Sequence, residues 1–307
     1  MQKVHFIAIG SAEMYNLAVA NSKKNNFLIT GSDTKFEEPA LSLLKSRDLL
    51  PDKPGWFPEK IHKGLSAIVL GPEVSEDNPE LLKARELGLN VYSIPEYVFL
   101  QTRSKTRIVV AGSEGRTMTT AMIIYVLKNL KIDTDFVISK AVSGVNTVVK
   151  LSYESRIAVL EGDEKLTSVI DKRPQFHMYK PHIAVITGAR WTESDDSELN
   201  VSYIQHLKMF AELMEVQGRL ICFEEDENLN FMMSNLRRDI VAFSYNTPAY
   251  ERVGNETYLK TKKVNVLLKV DGVQNMQNIE SARLACRQIG VTDDQFFSVI
   301  GNFEGIH

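Results

Sequence analysis

The chain has 307 residues and a formal net charge of −3, so its composition does not favour a nucleic-acid-binding protein, which would need a basic surface. Hydrophobic residues make up 44% of the sequence, and a chain of this length is expected to form about two domains. The N-terminus has no signal-peptide profile, and no apolar run approaches the roughly 20 residues of a membrane span. We therefore expect a cytoplasmic protein with no membrane span, in which Cys222 and Cys286 are buried, reduced thiols.

The N-terminal part of the chain alternates predicted strands and helices. Residues 3–10 predict a buried strand that ends in a glycine turn, and a helix is predicted from Ala12 to Asn21. The further predicted elements are strands at residues 27–30 and 66–71 and helices at residues 40–44 and from Pro79 onward. This alternation predicts a parallel sheet that is covered by helices on both faces and binds its ligands at the carboxyl ends of the strands.

Two turns at these strand ends are the candidate ligand loops of the first domain. One runs from Gly10 to Glu13 and the other from Gly31 to Asp33. The first turn lacks two of the three glycines of a dinucleotide fingerprint, so the pattern does not favour NAD. Asp33 is expected either to bind a ribose or to cap a turn.

A second glycine turn follows the polar stretch at residues 101–106, where we place the domain boundary, between residues 104 and 105. Residues 107–120, RIVVAGSEGRTMTT, predict a buried strand, a glycine turn and the start of a helix over residues 119–130. Such a turn is typical of a phosphate-binding site, because free backbone N–H groups and the helix dipole point at one place. The functional form of this loop ends in Gly-Lys-Thr, whereas this chain has Arg116 in place of the lysine.

A run of acidic residues follows a later predicted strand of the second domain. Strands are predicted at residues 136–139, 157–160 and 183–187, and the segment EGDE at residues 161–164 comes directly after the middle one. Carboxylates at the end of a buried strand beside a phosphate loop are the usual ligands of Mg²⁺. A charged surface turn is the alternative, and spacing alone does not separate the two.

The rest of the chain continues the α/β pattern. The predicted elements are a helix at residues 201–215, strands at residues 219–223 and 240–244, β-hairpins at residues 251–271 and helices at residues 276–289 and 293–300. The six histidines show no metal-ligand spacing.

The order of several short segments resembles the Mur ligase family. These segments are HFIAIG, TGSD, EDNPE, SIPEY, AGSEGRTMTT, EGDE, VITG and GVQNMQN. The resemblance covers residues 3–306 and is greatest to the members that join L-alanine to UDP-N-acetylmuramate and to those that recycle murein tripeptide. It implies a Rossmann-like UDP-sugar-binding domain at residues 1–104 and a P-loop-type α/β ATPase domain at residues 105–307. The family's C-terminal domain, which brings the amino acid, is expected to be absent from this chain.

The resemblance also implies ligands and site residues. The family activates a carboxylate with ATP and Mg²⁺ as an acyl phosphate, which an amine then attacks, and its substrate is a UDP-N-acetylmuramate-type nucleotide sugar. The matching nucleotide-binding positions are Gly112, Ser113, Glu114, Gly115, Arg116, Thr117, Thr119 and Asn275. The UDP-sugar positions are Gly10, Ser11, Ala12, Glu13, Met14, Ser32 and Asp33. The catalytic positions are Arg116, Glu161 and Glu193, and the metal ligands are Thr117, Glu161 and Glu193.

Several of these positions depart from the family's pattern. The histidine and lysine of the phosphate loop are replaced by Glu114 and Arg116, and the family's metal-binding histidine matches Glu193. The first-domain turn has Ser11 in place of a glycine and Glu13 in place of a small residue. In the family, a histidine precedes the asparagine that reaches the adenine, and Gln274 replaces this histidine here. Thr192 replaces the aspartate that precedes the family's metal-binding histidine.

We therefore predict a degenerate, non-catalytic homologue that keeps weak nucleotide or UDP-sugar binding. One alternative is a working ATP-dependent ligase that is truncated here or is completed by a separate C-terminal domain or partner chain. The other is a scaffold or regulatory module that binds no nucleotide.

Two expectations concern the geometry of the second site. Glu161 and Glu193 are expected to lie close together on neighbouring strand ends. The Glu114 carboxylate is expected to fill part of the anion site at the helix N-terminus, with Arg116 balancing its charge. The helix dipole favours an anion there by about 0.3–1 kcal/mol. The repulsion between a carboxylate and a phosphate charge about 4 Å apart would oppose phosphate binding by about 4 kcal/mol at an effective dielectric constant near 20.

Overall fold

The computed structural model describes residues 1–189 and 197–306 of the chain. They form two compact units, the first made of residues 1–101 and 165–178, and the second of residues 102–164, 179–189 and 197–306. The first break in the chain lies close to the predicted boundary after residue 104. The return of residues 165–178 to the first unit was not foreseen in the sequence, because a short irregular segment carries no periodic signal.

The first unit is built on a four-stranded parallel sheet with the strand order β2-β1-β3-β4. Its elements are β1 (Gln2–Ile7), α1 (Ala12–Ser22), β2 (Phe27–Ser32), α2 (Ala40–Lys45), a 3₁₀ turn (Pro58–Lys60), β3 (Ala67–Leu70), α3 (Pro79–Glu86), β4 (Val91–Ser93) and most of α4 (Ile94–Thr102). Helix α3 begins at Pro79 as predicted, because the side chain of Asn78 accepts the N–H groups of Glu80 and Leu81 at 3.0 and 3.1 Å.

The second unit is built on a seven-stranded sheet with the order β11-β10-β9-β5-β8-β6-β7, in which only the edge pair β6-β7 is antiparallel. Its elements are β5 (Thr106–Ala111), α5 (Arg116–Asn129), β6 (Thr134–Val137), β7 (Val149–Lys150), β8 (Ile157–Glu161), β9 (Ile183–Ile186), α6 (Ser197–Glu212), β10 (Arg219–Phe223), α7 (Glu227–Met233) and β11 (Val241–Tyr245). A three-stranded antiparallel sheet of β12 (Tyr250–Val253), β13 (Glu256–Lys260) and β14 (Asn265–Leu268) precedes helices α8 (Val273–Arg287) and α9 (Asp293–Ile300). The two parallel sheets confirm the predicted α/β class.

The core of the second unit forms where α5 and α8 pack beside strand β5. Val109, Val110 and Ala111 of this central strand are fully buried. Helix α5 begins at Arg116, earlier than the predicted Thr119, because Gly115 adopts a left-handed conformation directly before it and starts the helix from the turn. Cys222 and Cys286 are fully buried, and burial raises the pKa of each thiol. Among the described residues no helix is long and apolar enough to span a membrane.

Candidate functional site

The turn between β5 and α5 requires glycine at two positions. Gly112 has φ 126°, and a Cβ atom there would lie 2.5 Å from the Thr187 hydroxyl. Gly115 has φ 74°, and a Cβ atom there would overlap the Asn278 side chain. The neighbouring turn after β9 holds this one in place, since Ser113 N–H donates to the Gly188 carbonyl at 3.1 Å. The turn is therefore a close-packed backbone loop.

Helix α5 points its N-terminus at this turn. The first N–H groups of any α-helix have no acceptor within the helix, and the helix dipole places partial positive charge there. The turn lies at the carboxyl end of the central strand of a parallel sheet, where such sheets bind their ligands. The backbone geometry thus suits an anion.

Arg116, the first residue of α5, turns its side chain to the acidic segment after β8. Its guanidinium forms ion pairs with Glu161 at 3.3 Å, with Asp163 at 3.7 Å, and with Glu164. Burial by itself would lower the pKa of Arg116, but Asp163, Glu164 and Glu161 outweigh it and raise the pKa above its usual range. The cation of the turn is thus held by protein carboxylates.

Glu161 ends the strand next to β5 and is 7% exposed. Its Oε1 accepts the Thr117 hydroxyl at 2.5 Å and Arg116 Nε at 3.3 Å, while its Oε2 accepts the Ser139 N–H at 2.7 Å. A carboxylate has about four lone-pair positions, and three of them are engaged here. The structure therefore brings Thr117, Arg116 and Glu161 together.

This arrangement does not fit Mg²⁺. The ion needs oxygen ligands at about 2.0–2.1 Å in near-octahedral geometry, whereas Glu161 already accepts three protein donors. The Arg116 guanidinium also lies among the carboxylates that a dication would need, and like charges repel. Within residues 1–189 and 197–306, no group of three or more His, Cys, Asp or Glu side chains could hold a metal ion.

The expected pairing of Glu114 with Arg116 is wrong. Arg116 pairs with Glu161, Asp163 and Glu164 instead, and the Glu114 side chain is exposed to solvent. The attraction of Arg116 to three acidic side chains is strong. The effect of the helix dipole, on which the expected position of Glu114 rested, is weak by comparison. Because solvent screens an exposed charge, the expected repulsion between Glu114 and a phosphate is also smaller than about 4 kcal/mol.

Helix α8 contacts the turn through a residue that the sequence analysis missed. Asn278 is 2% exposed, and its Oδ1 lies 3.4 Å from the Thr119 hydroxyl and 3.3 Å from Gln274 Nε2. Asn275, the expected adenine contact, donates its amide to the Asp271 carbonyl of its own helix end at 2.7 Å. The helical spacing from Gln274 to Asn278 is the signal that could have identified the buried partner.

Two further residues complete the account of this site. Glu193, the expected second metal ligand, lies outside the described residues, so its predicted proximity to Glu161 stays a prediction. Tyr203 of α6 is buried, and this burial together with Glu164 raises the pKa of its hydroxyl. Tyr203 was not predicted as a site residue, because a single tyrosine on an amphipathic helix is typical of a core position.

The turns of the first unit are joined by Asp33. Its Oδ2 accepts the Gly10 N–H at 2.9 Å, and its Oδ1 accepts the Thr34 N–H at 2.7 Å. Asp33 therefore caps a turn, which is one of the two roles expected for it. A carboxylate that accepts a turn N–H is the arrangement that had been expected at Glu114, and it occurs here instead.

A cavity of about 460 Å³ opens beside these turns, at the carboxyl ends of the strands. Ser11, Asp33 and Trp56 are among its lining residues. The Ser11 hydroxyl is buried and has no hydrogen-bond partner among the residues that the structure describes. Among the other predicted UDP-sugar residues, Ala12 and Glu13 are exposed in the first turn of α1, Met14 is fully buried in the core, and Ser32 is fully buried at the end of β2.

Glu80 of α3 forms a buried polar network that the sequence analysis did not identify. The Glu80 carboxylate accepts the Phe57 N–H at 2.6 Å and the Ser32 hydroxyl, and it lies 3.4 Å from His5 Nε2. The side chains of Glu80, His5 and Ser32 are all fully buried. Although burial acts to raise the pKa of Glu80, the hydrogen bonds from His5, Ser32 and Phe57 lower it overall.

Comparisons of the sequence and of the structure with known proteins both find similarity to ligases named for UDP-N-acetylmuramate. No family model matches the sequence. The chain is 29% identical over 303 residues to the UDP-N-acetylmuramate–L-alanine ligase of Carboxydothermus hydrogenoformans, covering 95% of this chain and 63% of that protein. The chain thus spans less than two thirds of the length of that relative.

Solved structures share the fold. The UDP-N-acetylmuramate:L-alanyl-gamma-D-glutamyl-meso-diaminopimelate ligase of Neisseria meningitides matches with a TM-score of 0.85 at 19% identity, covering 99% of this chain and 98% of that one. The UDP-N-acetylmuramate-alanine ligase of Thermotoga maritima matches with a TM-score of 0.74 at 20% identity, covering 100% of this chain and 70% of that one.

Proposed function

We infer that this chain belongs to the Mur ligase family, and we propose that it is a non-catalytic member that binds an anionic ligand, of the nucleotide class, at the turn between β5 and α5. The observation that carries the proposal is that the glycine turn is intact while its cation, Arg116, is already paired with carboxylates of the protein. Gly112 and Gly115 both have the positive φ that a tight turn before a helix requires, while Arg116 is paired with three carboxylates.

The cradle favours binding because it acts through the backbone. N–H groups at the start of α5 and the helix dipole attract a phosphate whatever the side chains are. A compact ammonium in this loop reaches a phosphate as a point charge, whereas a guanidinium held by Glu161, Asp163 and Glu164 is not free to do so. We therefore expect weak binding of a nucleotide and no stabilisation of the charge that develops during phosphoryl transfer.

The experiment is a calorimetric titration with ADP and ATP of the wild type and of the variant Gly115→Ala. The added methyl group meets the Asn278 side chain and should distort the turn, so heat of binding should disappear in this variant. Gly254→Ala is the matched control, because Gly254 also has a positive φ, 62°, but has open space around it. Equal binding by all three proteins, or no binding by the wild type, would contradict the proposal.

For the first unit we propose weak binding of a UDP-N-acetylmuramate-type ligand in the cavity of about 460 Å³. The buried, unpartnered Ser11 hydroxyl within the described part of the chain supports a polar ligand there. Glu13 in the first turn of α1 opposes a pyrophosphate by charge. Titration with UDP-N-acetylmuramate tests this, and micromolar or tighter binding would show that Glu13 does not weaken the site.

A second candidate function is a working ATP-dependent ligase. The observation in its favour is the sequence similarity to UDP-N-acetylmuramate–L-alanine ligases along 95% of this chain. The test is ADP release in the presence of UDP-N-acetylmuramate, L-alanine and Mg-ATP, with the chain alone and with the C-terminal domain of a relative added. ADP release that depends on both substrates would replace the non-catalytic proposal.

A further inference from the structure

The acidic residues beside the glycine turn already have a cation among them. Arg116 lies within 3.3 Å of Glu161 and 3.7 Å of Asp163, and it also pairs with Glu164. Its side chain is 16% exposed and that of Glu161 is 5% exposed, so water screens their interaction only in part. The guanidinium is therefore in the position, relative to these carboxylates, that a metal counter-ion would need.

Backbone and hydroxyl donors complete the coordination of Glu161 without a metal. The Thr117 hydroxyl and the Ser139 N–H each donate to one of its oxygens, at 2.5 and 2.7 Å. A metal ion bound here would have to displace the arginine and reorient the hydroxyl. An arginine cannot lose its charge in a protein, so deprotonation does not make room for a second cation.

We propose that Arg116 takes the place of the divalent cation in this chain, so that its guanidinium is the permanent counter-ion of Glu161, Asp163 and Glu164. The inference rests on the proposed function in that the site concerned is the proposed anion site. It follows that a nucleotide phosphate binds at the turn without Mg²⁺. The three carboxylates do not form a metal-holding group in their present arrangement, and removing the charge of Arg116 frees them to close around a divalent cation.

The test measures binding of Mn²⁺ alone, by electron paramagnetic resonance and with no nucleotide present. Wild type should bind no more Mn²⁺ than the Glu161→Gln variant does. Arg116→Gln should bind Mn²⁺ tighter by about tenfold or more, which corresponds to about 1.4 kcal/mol. The gain should disappear in the double variant Arg116→Gln with Glu161→Gln, because the gained site needs the Glu161 carboxylate.

The matched control is Arg173→Gln, which breaks an exposed ion pair with Asp171 and should not change Mn²⁺ binding. Circular dichroism checks that each variant is folded. If Arg116→Gln does not fold, Arg116→Lys replaces it, since a compact ammonium reaches fewer carboxylates and a smaller Glu161-dependent gain is still expected.

Glu161-dependent Mn²⁺ binding by the wild type would overturn the inference. So would the lack of any gain in the folded arginine variant. Because no nucleotide is present, these results do not depend on whether the turn binds a phosphate. A failure of the inference and a failure of the proposed function are therefore separate outcomes.

Discussion

The two units each carry a glycine turn at the carboxyl end of a strand within a parallel sheet, but they satisfy these turns differently. In the first unit Asp33 accepts the Gly10 N–H, so a protein carboxylate already occupies a donor of the turn. In the second unit the Glu114 carboxylate is exposed, and the charged side chain of the turn, Arg116, points to the end of the neighbouring strand. In the first turn the Asp33 carboxylate of the protein accepts a backbone N–H group. The second turn keeps its backbone cradle, but its cation, Arg116, is held by carboxylates and is not free to move.

The buried acids beside the two turns differ in the same way. Glu80 is held by His5, Ser32 and the Phe57 backbone, and Glu161 is held by Arg116, Thr117 and the Ser139 backbone. In both units, donors of the protein itself therefore occupy the carboxylate beside the turn.

The largest expected effect is the loss of the buried network at the first turn. Glu80→Ala leaves His5, Ser32 and the Phe57 N–H without their common acceptor, and we expect a loss of about 3–5 kcal/mol in the free energy of unfolding. Urea denaturation followed by circular dichroism measures it. Glu86→Ala, which breaks an exposed pair with Lys83, is the control and should change the free energy by less than about 1 kcal/mol. A loss for Glu80→Ala no larger than the control would show that the network contributes little.

The same network predicts a pH dependence. The pKa of Glu80 is lower in the folded protein than its ordinary value of 4.5, so its ionised form stabilises the fold. This contribution is fully present above about pH 4.5 and is lost as the pH falls through the lowered folded pKa. Glu80→Gln should therefore lose stability less steeply than the wild type when unfolding is measured from pH 6 downward, and parallel curves would contradict the assignment.

A smaller effect is expected at the second turn. Gly115→Ala should destabilise the protein by about 1–2 kcal/mol because of its left-handed backbone, and by more through its contact with Asn278. Gly254→Ala has the same backbone strain without the contact, so the difference between the two variants isolates the packing of the turn. Equal thermal denaturation midpoints would mean that Asn278 moves aside freely.

The sequence predicted the fold better than it predicted the sites. Periodicity placed most strands of the two sheets but missed the short strands β4 and β7, and the glycines at 112 and 115 identified a turn that only glycine can form. The partner of Arg116 could not be predicted, because Glu161 and Glu114 are both within reach of a long side chain and only the fold decides between them. Asn278 was missed for a similar reason: its spacing from Gln274 places it on one face of α8, but its contact with the turn depends on how α8 packs on α5.

The contrast between Asp33 and Glu114 gives the next prediction. Asp33→Ala removes the acceptor of the Gly10 and Thr34 N–H groups and should cost about 1–3 kcal/mol of stability. Asp33→Asn keeps an acceptor oxygen and should cost less. Urea denaturation of both variants measures the difference, and equal losses would show that the turn hydrogen bonds are not the cause.

The smallest expected effect belongs to Glu114→Gln. Because Glu114 is exposed, its stability should change by less than about 0.5 kcal/mol. Nucleotide affinity should rise, since a negative charge is removed near the anion site, and the rise should shrink with added salt. Calorimetry at low and high salt measures it. A large loss of stability would mean that Glu114 fills the cradle after all.

The most direct test of the central claim, that Arg116 replaces the divalent cation at the second turn, is a titration of the wild type with ADP in EDTA and again in excess Mg²⁺. We expect the same dissociation constant, within about twofold, in both solutions, because the Arg116 guanidinium already occupies the position among the carboxylates beside the turn that Mg²⁺ would take. Binding that appears only with Mg²⁺, or tightens by about tenfold or more in its presence, would contradict it.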